Sequence, residues 1–367
     1  MRQQVTIKDV AQLAGCGVAS VSRVLNNTGP SSADLRARVL KAADELGFEF
    51  SEVGRSLQSS TTRTIGCIVP SLANPVFADA VQGVQETAQA AGYQTLLVCT
   101  NYDPESETKA IKTLMAKQVD GLVLTVSDGV SSDGLKSVQQ RGIPHCLLFN
   151  AAPQGSKGWS VDDQAAAMSV AQIFSEAGHR HVGFLALRFR SSDRARLRHQ
   201  GFVDGCAKNG ISAPALLKVD EDSENLTELL RKFLHDNPSL TGIFASNDFL
   251  ALAIIRSARA LGLNVPGDLS IIGFDGIEVG TMVDPSLATI ATDPKLMGSG
   301  AAGTVLALID KTEAPVQPEP GSTFNFRAGG SLAPPAAERT DDEKAATSSP
   351  SNNRTKKNAN FQLERSK

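Results

Sequence analysis

The stretch VTIKDVAQLAGCGVASVSRVLN, residues 5–26, carries the most legible local pattern in the chain. Thr6 precedes Asp9 by three positions, as an N-cap precedes an acidic third residue. A first helix over Ile7–Ala14 follows, with Ile7, Val10, Ala11 and Ala14 on one face. Gly15-Cys16-Gly17 makes a tight turn. A second helix over Val18–Leu25 turns Val21 and Leu25 inward. Ser32 caps a third, Ala33–Leu46, with Leu35, Val39, Ala43 and Leu46 inward and Gly47 at C′. Two short helices about a glycine turn form a helix-turn-helix. The second helix then presents Val18, Ala19, Ser20, Ser22 and Arg23 outward. Small residues at its start permit close approach to a major-groove floor, and Ser22 and Arg23 can reach a phosphate or a base edge. On pattern alone, a plain three-helix bundle stays open as the alternative. Residues 1–60 hold seven basic and six acidic residues, so DNA binding here would depend on dimerisation and specific contacts more than on charge.

Outward from this segment, residues 49–63 (EFSEVGRSLQSSTTR) form a polar connector. Beyond it, apolar runs alternate with amphipathic stretches. The runs are Ile65–Val69, Gln94–Cys99, Gly121–Val126, His145–Phe149, His181–Leu187, Gly242–Ala245 and Leu269–Phe274. Helical patterns lie at Phe77–Ala91, Ser106–Lys117, Asp163–Ala177, Glu224–His235 and Phe249–Leu261. Apolar runs that alternate with helices predict a parallel sheet covered on both faces. The pattern is too long for one comfortable layer stack and favours two doubly wound lobes, with crossings near Asp162 and Thr292. The division is therefore 1–50 headpiece, 51–62 hinge and linker, 63–332 two-lobed core and 333–367 polar, disordered tail.

Composition narrows the function. The chain has 367 residues, 41% of them hydrophobic and 20% charged, with a net charge of −3, which suits a globular protein and does not announce a nucleic-acid partner. No apolar run approaches the ~20 residues of a membrane helix. The opening MRQQVTIKDV has no secretory apolar core, so a cytoplasmic protein is expected. Cys16, Cys67, Cys99, Cys146 and Cys206 are odd in number and widely spaced, which reads as free thiols with no metal site. No cofactor is expected. Gly298-Ser299-Gly300-Ala301-Ala302-Gly303 fits the GxGxxG dinucleotide pattern, but DPKLM before it opens a helix and no strand leads in. There is no GxxxxGK[ST] loop, no GxSxG turn and no Ser/His/Asp set, so no catalytic residue is assigned.

The string at residues 5–26, followed by VLKAADELGF and VGRSL, resembles the lactose-repressor (LacI/GalR) family of bacterial transcription regulators. The resemblance continues through TIGCIVPSLANPVF, GHRHVGFL, FASNDFLALAII, IIGFDG and DPSLATI, over roughly residues 5–330. It implies an all-α helix-turn-helix headpiece, a hinge helix, and an α/β periplasmic-binding-protein-like core of two doubly wound lobes. It also implies a homodimer on double-stranded operator DNA, controlled by a small sugar-type effector. By position, Val18 and Ala19 match the family's base-reading pair, and Ser20, Ser22, Arg23 and Asn26 match further base and phosphate contacts. Leu57 matches the hinge leucine that wedges into the minor groove. Its neighbours Val53 and Arg55, and Thr6 at the start of helix one, complete the expected DNA-facing set.

Several positions depart from the family. Cys16-Gly17 stands where Val-Ser is usual, which removes a capping and phosphate-touching hydroxyl. Phe50 replaces the usual proline, and Glu49 and Glu52 place carboxylates near phosphates. Gly54 in place of alanine lowers hinge-helix propensity by roughly 1 kcal/mol.

For the effector, the carboxyl ends of the strands, in the cleft between two such lobes, are the expected seat. Ser71, Phe77, Asn150, Asn247 and Asp275 match family positions there, and Arg198 matches the effector-binding arginine. Trp159 is added as a stacking candidate, with core packing as its other reading. Asp248 reads as an N-cap. Arg194 and Arg198 lie four apart on one helix face, within a segment that also carries Arg188, Arg190 and Arg196. Two guanidinium groups favour a carboxylate or phosphate, so a sugar acid such as gluconate or a ketogluconate is expected. TIGCIVPSLANPVFA and TFNFRAGGS also resemble the gluconate-responsive branch of the family. The alternatives are a solvated arginine patch and, for the whole chain, a sugar-binding receptor with no DNA role.

Overall fold

The computed structural model describes residues 5–26, 29–48, 61–220 and 225–336, with the side chains of Asn26 and Pro320 left out. The expected hinge contacts Val53, Arg55 and Leu57, and nearly all of the expected tail, lie outside the described residues.

The headpiece is three helices: α1 (Ile7–Ala14), α2 (Val18–Asn26) and α3 (Ala33–Glu45). Gly15 ends α1 at φ 62°, and the Cys16 N–H donates to the Ala11 carbonyl at 3.0 Å. Ser32 caps α3 by accepting from the Leu35 N–H. Val10, Ala11, Ala14, Val21, Val24, Val39, Ala42 and Ala43 form its core, with Ile7, Leu25, Leu35 and Leu46 packed around it. Val24 and Ala42 are buried as well, because α2 and α3 each turn one residue more inward than the apolar spacing predicts.

The rest divides into two compact units. The headpiece residues, 61–166, Arg188–Arg198 and Ala291–Asn325 group in the first; Ala167–Leu187, His199–Ile290 and the chain from Phe326 group in the second. The expected changes of unit near Asp162 and Thr292 fall within a few residues of the observed ones. A third, at Asn325, and the 188–198 excursion were not anticipated.

The first unit carries strands β1 (Thr64–Val69), β2 (Gln94–Cys99), β3 (Gly121–Leu124), β4 (His145–Leu148) and β5 (Lys157–Trp159), in the order β2-β1-β3-β4-β5 with every pairing parallel. Its helices are α4 (Pro75–Ala90), α5 (Pro104–Ala116), α6 (Asp133–Gln140) and, late in the chain, α11 (Pro294–Asp310). Alternate residues of β1 serve opposite faces, as the two-residue period of a strand requires. Ile65, Cys67 and Val69 pack with α4 and α11, while Ile68 packs with Ile111 and Leu114 of α5 and Leu135 and Val138 of α6. The Gly298–Gly303 stretch lies inside α11, where it serves packing: a Cβ on Gly298 would stand 1.9 Å from the Ala80 carbonyl oxygen.

The second unit carries β6 (Val182–Leu187), β7 (Ala215–Val219), β8 (Gly242–Ala245), β9 (Ser270–Asp275), β10 (Ala288–Thr292) and β11 (Phe324–Arg327), in a sheet ordered β11-β10-β9-β8-β6-β7. Pairings of β6 with β7, β6 with β8 and β8 with β9 are parallel. Its helices are α7 (Asp163–Glu176), α8 (Asp193–Lys208), α9 (Leu226–Asp236) and α10 (Asp248–Ala260); the first residues of α7 and α8 group with the first unit. Leu185, Ile243, Ala245 and Ile271 pack on α9 and α10. Phe184, Phe202 and Phe244 stack edge-to-face or tilted on the other face. All five cysteines are free, and burial pushes the Cys67, Cys146 and Cys206 thiols up to about 12.

Candidate functional site

On the headpiece, Val18, Ala19 and Arg23 are exposed and Ser20 and Ser22 half-buried, so α2 offers the expected outward row. Val18, 42% exposed, is a large apolar side chain left on this face while Val21 and Val24 fill the core. The Thr6 N–H and Oγ1 both donate to Asp9 Oδ2, at 2.8 and 2.7 Å, and this holds the Asp9 carboxyl below its ordinary range. Arg38 was not singled out by sequence. Its Nη1 donates to the Ala14 carbonyl at 2.8 Å and closes the end of α1.

Gly17 opens α2, its carbonyl accepting from the N–H groups of Ser20 and Val21. A Cβ there would meet nothing within 4 Å. Gly17→Ser therefore fits without strain and restores a capping hydroxyl, worth a few tenths of a kcal/mol over glycine. The expected result is severalfold tighter operator binding in a titration by fluorescence anisotropy. Unchanged affinity would show that this position faces no phosphate.

In each unit, the strand order reverses direction at one point: between β1 and β3, and between β6 and β8. Ligands of open α/β sheets sit outside the carboxyl ends of strands at such points. Backbone strain marks the same ends. Asn101 (φ 52°), Tyr102 (φ 59°), Phe149 (φ 68°), Arg188 (φ 51°) and Asp275 (φ 115°) follow or end β2, β4, β6 and β9. Three other such residues, Arg63, Gln118 and Lys311, lie before a strand or at helix ends, so five of the eight among the described residues gather at these strand ends.

At the strand ends of the first unit, the polar groups are closed in several separate sets of hydrogen bonds and ion pairs. Ser71 follows β1 and accepts from the Ala73 N–H at 3.1 Å. Beyond β3, the Ser127 N–H and Oγ donate to Glu107 Oε1 at 2.8 and 2.5 Å. Burial raises the Glu107 carboxyl, against those two bonds and the nearby Arg194. Asn150 is fully buried: its Oδ1 accepts from the Val126 N–H, and its Nδ2 donates to the Val126 carbonyl and the Asp193 carboxylate. Arg188 lies over the Tyr102 ring at 4.5 Å, and Arg196 pairs with Asp128 at 2.5 Å. Arg198 Nε donates to Asp163 Oδ1 at 2.6 Å, with both side chains largely buried. Burial pushes the Asp163 carboxyl up, and Arg198 opposes it.

Arg194 differs from these. It is 6% exposed. Its Nη1 makes only a 3.3 Å bond to the Val126 carbonyl and a 3.5 Å approach to Asp193, and its Nη2 is buried with no hydrogen-bond partner. The solvated-patch alternative is thus wrong for Arg194 and Arg198, which are both inside.

Three expected effector contacts prove to be internal. Trp159 is corrected to a core residue: it is buried, Nε1 donates to Thr304 Oγ1 at 3.0 Å, and the ring lies against Gly300, where a Cβ would stand 2.3 Å from it. Phe77 belongs to the packed layer, edge-on to Phe149 at 5.3 Å and Tyr102 at 6.2 Å. Asn150 spends both amide protons as described, so it braces the β3 and β4 ends instead of facing a ligand.

At the strand ends of the second unit, Asn247 rather than Asp248 caps α10, accepting from the Leu250 N–H at 2.8 Å. Asp248 is fully buried. It accepts from the N–H groups of Gly276 and Ile277, each at 2.8 Å, and from Thr289 Oγ1 at 2.6 Å. Burial, then the neighbouring Asp275 carboxylate, push its carboxyl up to about 7. The cap expected of Asp248 falls to its neighbour because the partners of Asp248 lie one and two strands further along the chain.

A helix-turn-helix headpiece with an open reading face, joined to two doubly wound α/β units with polar strand ends, defines a DNA-binding transcription regulator with a small-molecule effector. The comparisons agree. The model for bacterial regulatory proteins of the lacI family matches residues 6–50, and that for periplasmic binding proteins and the sugar binding domain of the LacI family matches residues 62–320. The HTH-type transcriptional regulator GntR of Escherichia coli K12 is 32% identical over 335 residues, covering 90% of this chain and 99% of the relative. The ribose operon repressor of Halalkalibacterium halodurans is 31% identical over 306 residues, covering 83% and 91%. The solved lac repressor dimer, bound to operator and the anti-inducer ONPF, shares the fold at a TM-score of 0.79, with 23% identity and coverage of 90% and 100%. The chain belongs to the LacI family of bacterial regulators. Among the described residues, no helix is long and apolar enough to cross a membrane.

Proposed function

We propose that this regulator is a cytoplasmic homodimeric repressor whose operator affinity is controlled by a sugar acid, such as gluconate or a ketogluconate, held through Arg194. One observation carries the choice of ligand: the buried Arg194 Nη2 has no partner. A buried donor left unmade costs about 1–3 kcal/mol, and more when charged, so an arriving carboxylate gains that energy back. A guanidinium meets a carboxylate through two parallel bonds. Arg198 is closed by Asp163 and holds the local charge balance. Ser71, Asn247 and Asp275 are proposed to meet hydroxyl groups. The relatives do not choose the ligand, since GntR and a ribose operon repressor stand at nearly equal identity. The lac repressor dimer on its operator supports two headpieces reading paired half-sites, with Val18, Ala19, Ser20, Ser22, Arg23 and Asn26 at the bases and phosphates. Effector binding is proposed to release the operator.

A neutral sugar is the second reading. Asp193 beside Arg194 and Asp163 on Arg198 already balance two positive charges, and this favours it. Thermal stabilisation across gluconate, 2-ketogluconate, ribose and glucose separates the two, because a ligand at a hundred times its Kd stabilises by about 2.7 kcal/mol. Gluconate or 2-ketogluconate is expected to shift the transition and to release labelled operator. Arg194→Ala is expected to weaken the acid's binding at least tenfold. Stabilisation by ribose or glucose alone, unchanged in Arg194→Ala, would replace this reading with the neutral one.

A further inference from the structure

The turn that presents Asp275 is held from both sides. Gly276 and Ile277 donate their N–H groups to Asp248 Oδ2, each at 2.8 Å. The carbonyls of the same two residues accept from Arg327, Gly276 from Nη1 at 3.1 Å and Ile277 from Nη2 at 2.9 Å. Every backbone polar group of the dipeptide is thus closed by two side chains, an acidic one from α10 and a basic one from β11. Asp275 and Gly276 take successive left-handed angles, φ 115° and 82°. A non-glycine residue persists there only under firm constraint. The seat is shaped for the acid: a Cβ on Gly273 would stand 2.1 Å from Asp248 Oδ1. It is shaped for the base too, since the planar fork of arginine spans two successive carbonyls and an ammonium does not.

We propose that Asp248 and Arg327 form a clamp on the Gly276–Ile277 backbone, and that the clamp sets the direction in which Asp275 meets the effector. Both are positioning residues. Asp248 is fully buried and reaches a ligand only through the turn it holds. The inference rests on the reading that Asp275 is an effector contact, while the clamp itself is readable without any ligand.

The test uses the full-length protein and two readouts. The first is hydrogen exchange of the Gly276 and Ile277 amides. Arg327→Ala is expected to raise it at least tenfold, Arg327→Lys to give most of that rise, and Asp248→Asn, which keeps an acceptor oxygen, to leave it within about threefold. The second is gluconate affinity by calorimetry. Arg327→Ala is expected to weaken it at least tenfold with operator affinity in the absence of gluconate unchanged, and Asp275→Ala to abolish it. Unchanged amide exchange in Arg327→Ala overturns the clamp. Faster exchange with unchanged gluconate affinity, where Asp275→Ala abolishes binding, overturns its positioning role. If gluconate affinity survives Asp275→Ala, or wild-type protein binds no gluconate, the effector reading fails, and the exchange rates alone decide the clamp.

Discussion

Replacing Arg198 by alanine is expected to lower the melting temperature on the order of 5–10 °C, before any ligand is considered. The family resemblance gives Arg198 to the effector, but the structure ties it to Asp163 at 2.6 Å, with the Asp163 side chain only 4% exposed. Asp163 opens α7, and Arg198 is the foremost positive group acting on its buried carboxyl. Removing one partner of a buried ion pair typically costs about 3–5 kcal/mol, because the remaining charge keeps its desolvation penalty and loses its compensation. The acidity dependence follows from the sign of the shift. Burial already raises Asp163, and without Arg198 the opposing influence is gone. A carboxyl raised in the folded state binds a proton that the unfolded chain releases, so it destabilises as pH rises. The deficit of Arg198→Ala should therefore shrink between pH 8 and pH 5. It should also shrink in the double variant with Asp163→Asn, which has no charge to strand. A melting temperature within 1–2 °C of wild type at pH 8 would show that the pair is not structural and would return Arg198 to the ligand alone.

That difference between a family role and a local one marks what sequence could reach. The helices of the headpiece were readable because Thr6, Gly15, Ser32 and Gly47 punctuate them and apolar residues recur at helical spacing between them. Six of the seven strands read from sequence are legible because burial on both faces leaves few polar residues to interrupt them, while the seventh, Gln94–Cys99, is half-exposed and shows only by its apolar run. Of the four strands outside that reading, Lys157–Trp159 has three residues, Phe324–Arg327 shows no buried position and Ala215–Val219 only one, while Ala288–Thr292 is partly buried and its threonines break the apolar run. The arginine-rich start of α8 could be placed on a helix, but not inside or outside. Charge argues for solvent, and the carboxylates that let arginines inside include Asp128 and Asp163, both distant in sequence from the cluster, beside Asp193 within it. For the same reason Asn150 and Asp248 could be named as strand-end residues while their partners stayed hidden. A side chain's type limits what it can bond, and tertiary contact decides with what.

Asp248 gives the other large effect, and its two substitutions should diverge. Asp248→Ala strands the Gly276 and Ile277 N–H groups and frees the Thr289 hydroxyl. At about 1–3 kcal/mol for each buried group left unmade, a loss of several kcal/mol is expected. Asp248→Asn should keep the network. Its carbonyl oxygen can accept both N–H groups, and its amide can donate to Thr289 Oγ1, whose own proton turns to the Ile290 carbonyl 3.3 Å away. The same rearrangement accommodates a proton on the native carboxyl, which burial and the Asp275 carboxylate push from 3.8 up to about 7. With the folded value above the unfolded one, the stabilising share of this group is complete below pH ~4 and is lost as pH rises through about 7. The amount at stake is on the order of 4 kcal/mol by linkage. Asparagine cannot ionise, so Asp248→Asn should match wild type near pH 4, gain on it steadily as pH rises through about 7, and exceed its melting temperature by several degrees at pH 8. Melting curves of the two proteins across that range check it, since titrating groups remote from Asp248 cancel in the difference. A difference that stays constant with pH would mean that Asp248 is ionised throughout, with its three donors outweighing burial.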